Sequence, residues 1–87
     1  MKEPERQETF DGTFSTEGMN AQECMARVEE LLISYRREAA DLAKEWLLDC
    51  GYFNGSIGGT LYHDNEAKTC RVAVTLTDYG LPLRIDA

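Results

Sequence analysis

His63 and Asp64 stand side by side in this chain, and three cysteines lie at positions 24, 50 and 70. An imidazole held by a carboxylate can activate a thiol as a nucleophile, so acyl-transfer or hydrolytic chemistry would have to be built from this set. The spacing speaks against it. Cys24, Cys50 and Cys70 all fall in phase with apolar neighbours, where cysteine behaves as a small buried hydrophobe. No nucleophile, base and orienting group can be placed together from sequence, so no enzymatic activity is expected.

Metal and phosphate chemistry fare similarly. His63, Asp64, Asn65 and Glu66 are ligand types, but four consecutive residues cannot all converge on one ion, and a solvated polar turn is the expectation. The cysteines are odd in number and contain no Cys-x-x-Cys, which matches no zinc spacing. Gly55-Ser56-Ile57-Gly58-Gly59 has the composition of a phosphate loop. Such loops leave a strand and enter a helix, whereas this one follows a helix and enters a strand. No cofactor is expected.

The 87 residues carry a net charge of −7, with a sequence pI of about 4.5. That charge opposes direct nucleic-acid binding and adsorption to anionic membranes, since both surfaces repel the domain. It suits solubility, a basic protein partner, or imitation of a nucleic acid. The opening MKEPERQE has no apolar leader, and no run approaches the ~18 apolar residues of a membrane span. With free thiols, these features predict a cytoplasmic protein.

The elements that position these residues follow from periodicity. Met1 to Glu8 is charged and is expected to be a disordered N-terminal tail; residues 9–80 form a single domain, and 81–87 a C-terminal tail or short edge strand. Thr9 to Thr16 alternates, with Phe10, Gly12 and Phe14 inward. Asn20 predicts a helix N-cap, with Glu23 completing a capping box and Met19 stapled onto Cys24. Cys24, Val28, Leu31, Leu32, Tyr35, Ala39, Leu42, Trp46 and Cys50 recur at spacings of three and four, the core stripe of one long helix. Gly51 ends it. Glu23–Arg27 and Arg37–Asp41 are expected as i,i+4 ion pairs.

Asn54 to His63 predicts a second strand with Ile57, Gly59 and Leu61 inward. Thr69 to Thr77 predicts a third, with Cys70, Val72, Val74 and Leu76 inward. The fold class is therefore α+β: a two-layer β-α-β-β domain with one long amphipathic helix packed on a three-stranded antiparallel sheet. The most apolar strand, the third, belongs in the centre, giving the order 1-3-2.

The function expected is that of a small acidic non-enzymatic protein acting by protein–protein binding, as an adaptor, regulator or inhibitor of the kind phages and mobile elements encode. The alternatives are a small-ligand-binding dimer that uses the polar sheet face and an acidic nucleic-acid mimic. The candidate binding surface is Thr13, Ser15, Thr60, Tyr62, Arg71 and Thr75 on that open face, with Leu81, Leu83 and Ile85 of the tail. A homodimer is the expected first instance, because edge strands carry unpaired backbone groups.

Overall fold

A computed structural model describes residues 5–80. The order is β1 (Arg6–Ser15), α1 (Ala21–Cys50), β2 (Gly55–Asp64) and β3 (Thr69–Asp78). β3 is central and pairs antiparallel with both neighbours, so the sheet order is β1-β3-β2 and the fold is the expected α+β arrangement.

The start of α1 is written in its sequence. Asn20 adopts an extended conformation, and its side chain accepts a hydrogen bond from the Glu23 amide at 2.8 Å. The Glu23 carboxylate accepts from the Asn20 amide at 3.0 Å, closing the capping box. Met19 Sδ lies 4.0 Å from Cys24 Sγ, the expected staple. At the other end Gly51 takes a left-handed φ of 80°, and its amide donates to the Leu47 carbonyl. The expected Glu23–Arg27 pair does not form, because Glu23 is spent on the cap. Arg27 instead meets Glu30 at 3.2 Å. Arg37–Asp41 is also absent among the ion pairs of the described residues.

The core has two parts. Val28, Cys70 and Val72 pack with Phe14, Leu31, Leu32 and Tyr35. Ala39, Val74 and Leu76 pack with Phe10, Leu42, Trp46 and Phe53. Tyr35 bridges the two, and its hydroxyl rests over Gly12, where any side chain would overlap it. The inward glycine of β1 thus marks a close approach of helix to sheet.

Three expectations need correction. β1 starts at Arg6, not Thr9, because Arg6, Gln7 and Glu8 pair with Asp78, Thr77 and Leu76; the disordered-tail boundary at residue 8 is therefore too late. Of the three thiols only Cys70 is buried; Cys24 is half-buried and Cys50 exposed at the last residue of α1. Ile57 and Leu61 face inward but stay 37% and 48% exposed, because α1 packs mainly on β3, less on β1 and least on β2. Leu81, Leu83 and Ile85 lie outside the described residues.

Candidate functional site

The outer face of the sheet brings together Thr13, Ser15, Thr60, Tyr62, Arg71 and Thr75, all at positions whose side chains alternate away from α1. Arg71 organises it. Its Nε donates to Asp11 Oδ2 at 2.8 Å, and a terminal nitrogen stands 2.7 Å from the same oxygen. The guanidinium also lies 5.1 Å from the Tyr62 ring centroid. Asp11, Arg71 and Tyr62 therefore form a row across all three strands. Thr75 and Thr9 share a hydrogen bond at 3.2 Å. Ser15 Oγ accepts from the Glu17 amide at 3.2 Å, so it serves the turn into α1. Arg71 lines none of the described grooves; its charge is met by protein groups on a flat surface.

His63 behaves differently from its sequence neighbourhood. It shares a small hollow of about 260 Å³ with Cys24, Cys70, Met25, Val28 and Leu61. Two thiols and an imidazole thus face one space, yet Asp64 does not orient the ring. Its Oδ1 accepts from the Glu66 and Ala67 amides at 3.0 and 3.1 Å, an Asx turn. Burial, with a smaller contribution from Cys24, pushes the Cys70 thiol up, which favours the unreactive protonated form. Among the described residues no group of three or more His, Cys, Asp or Glu is placed to hold a metal ion.

A third cluster escapes sequence reasoning. Asp78 is fully buried at the end of β3. It pairs with Arg6 and accepts from the amides of Gly80 at 2.9 Å and Asn54 at 3.2 Å. Arg6 lies 4.6 Å from the Trp46 ring centroid and donates to Cys50 Sγ at 3.3 Å. Burial pushes the Asp78 carboxyl up, but the Gly80 amide, Arg6 and the Asn54 amide together outweigh it and hold the group below the ordinary carboxylate range. The cluster ties both chain ends of the sheet to the end of α1. The signal that could have found it is the inward parity that Arg6 and Asp78 share with the core positions of their strands.

The fourth feature is a shallow groove of about 570 Å³ between β1 and α1. Its floor is Phe10 and Leu42, and its rim is Glu8, Glu38, Asp41 and Glu45. None of these four carboxylates takes part in an ion pair among the described residues. Among the described residues, no helix is long and apolar enough to cross a membrane. No family model, curated protein or solved structure matches the chain.

Proposed function

We propose that this chain is a non-enzymatic binding protein that docks a basic protein segment along the flank of α1 over β1. The observation that supports the reading is the groove whose apolar floor, Phe10 and Leu42, is ringed by Glu8, Glu38, Asp41 and Glu45. An apolar anchor seated on Phe10 and Leu42 would be desolvated, and Lys or Arg residues beside it would meet carboxylates that have no ion-pair partner among the described residues. The net charge of −7 adds long-range steering toward such a partner. Adaptor, regulator and inhibitor are all forms of this activity.

The acidic groove favours a protein segment over the small-ligand reading, which needs a concave site around Arg71. It also favours it over the nucleic-acid mimic, because Arg36, Arg37 and Lys44 interrupt the acids along α1. The test compares capture from native lysate by the wild-type chain and by the Glu38→Lys, Asp41→Lys double variant. The wild type should retain a basic protein that elutes as salt rises, and the variant should not. Equal retention by both, or retention of no basic protein, would overturn the reading.

A further inference from the structure

The other flank of α1 is built on a different plan. Ile57 and Leu61 point the same way as buried Val72 and Leu76, their cross-strand partners, yet remain exposed. Two apolar hollows of about 210 and 260 Å³ run along this side, lined by Met25, Val28, Leu32, Gly59 and Leu61. β2 is also an edge strand. The Tyr79 amide donates to the Asn54 carbonyl at 2.8 Å, which turns the even-numbered residues of β2 toward β3. Antiparallel alternation then directs the N–H and C=O groups of Ile57, Gly59 and Leu61 out of the sheet. β2 carries a single residue of the Asp, Glu, Lys and Arg types, Asp64 at its end. The opposite edge, β1, carries Arg6, Glu8 and Asp11, charges of the kind that discourage edge pairing.

We propose that β2 pairs antiparallel with β2 of a second copy about a two-fold axis at Gly59, extending the sheet to six strands. Two independent symmetries meet at that point. In the strand, an axis at Gly59 sets Ile57 opposite the partner's Leu61. Each odd-numbered residue then faces an odd-numbered one, so the outward backbone groups match as hydrogen-bonded pairs. In the helix, Met25, Glu29, Leu32 and Arg36 follow at spacings of four, three and four on the side toward β2. The two charges have opposite sign and flank Leu32.

A Cβ at Gly59 would lie 3.3 Å from Leu32 Cδ2 and 3.6 Å from an Arg36 guanidinium nitrogen, so the centre of the helix stripe sits over the centre of the strand. A two-fold there brings each Glu29 toward the partner's Arg36, the self-complementarity an isologous interface requires. Helices seated over the central strands stand about 14 Å apart, three strand spacings, and Met25, Leu32 and the long charged side chains reach into that gap. Ten strand residues and one helix flank fall short of the ~20–30 residues a side of a standard interface, the small class to which weak and transient associations belong, and a constant on the order of micromolar is taken as the working value.

Sedimentation of the full chain over 1–100 µM, as an order-of-magnitude window around that constant, tests the inference. The wild type should form a dimer. Leu61→Lys, at an exposed position, should give a folded monomer with an unchanged circular dichroism spectrum. Glu29→Arg and Arg36→Glu should each weaken the dimer about tenfold, through like charges at two symmetric contacts, and the double swap should restore it. A monomeric wild type, a dimer indifferent to Leu61→Lys, or a double swap no tighter than its parents would overturn it. The Glu38→Lys, Asp41→Lys variant alters only the opposite flank and should still dimerise, at least as tightly as the wild type because its smaller net charge repels less, so the two readings fail separately.

Discussion

A fully buried carboxylate beside a guanidinium under an indole is costly to build and costlier to break. Asp78 gives up its hydration and recovers it from Arg6 and the amides of Gly80 and Asn54. Arg6→Met would leave that carboxylate buried without its cation, and a lower midpoint in denaturant unfolding is expected. An unchanged midpoint would show that the amides alone suffice. The pH dependence has a definite sign. The folded-state carboxyl lies below its ordinary value, so its contribution is present above the unfolded value near 3.9 and is lost as pH falls through the lower folded value. Asp78→Asn should therefore narrow its stability gap to the wild type as pH falls below about 4. A gap that is constant from about pH 6 to pH 2 would contradict the linkage. Sequence periodicity hid this cluster because Arg6 and Asp78 occupy core parity with charged side chains, and each is permitted there only by the other. Arg71 was legible as a surface residue, but Asp11 as its partner needed the β1–β3 register.

At the scale of elements, the capping box, the left-handed Gly51 and the apolar stripe of α1 were legible because each rests on contacts within a few residues of sequence. The central place of β3 was legible because Val72, Val74 and Leu76 make it the most apolar strand, and all three are completely buried. The lateral offset of α1 was not legible: nothing in the alternation of β2 says which edge the helix favours. That offset separates two leucines of equal parity. Leu76→Ala should cost about 2–4 kcal/mol, whereas Leu61→Ala, half-exposed in the subunit, should cost under about 1 kcal/mol when measured dilute enough to be monomeric. Equal costs would place α1 over β2. Gly12 supplies a second check on the seating. Its missing side chain leaves room for the Tyr35 hydroxyl, while the ring carbon behind that hydroxyl would stand 3.4 Å from a Cβ, an ordinary contact. Gly12→Ala should destabilise by about 1–3 kcal/mol, and adding Tyr35→Phe should recover most of the loss. A double variant no better than Gly12→Ala would mean the hydroxyl is not what the glycine accommodates.

The whole molecule has two unlike flanks: acidic over β1, apolar and nearly uncharged over β2. The net charge of −7 acts on both, in opposite directions. Two copies taken as point charges about 25 Å apart in water repel by about 8 kcal/mol unscreened, about 3–4 kcal/mol at 0.01 M salt and under about 1 kcal/mol at 0.1 M. The paired Glu29 and Arg36 contacts across the two-fold return about 0.2–1 kcal/mol each, too little to reverse that trend. Raising salt over this range should therefore tighten the homodimer. A basic segment in the groove of Glu8, Glu38, Asp41 and Glu45 is held by attraction, so the same salt should loosen it. Sedimentation of the chain alone and binding of a Lys-rich peptide with one aromatic residue, followed in one salt series, measure the two sides together. Opposite slopes are expected, with the peptide slope flattened in the Glu38→Lys, Asp41→Lys variant and the dimer slope reduced there because the double variant lowers the net charge to −3. Two affinities that both fall with salt would mean that the copies meet through ion pairs, and that the uncharged edge of β2 is not where they join.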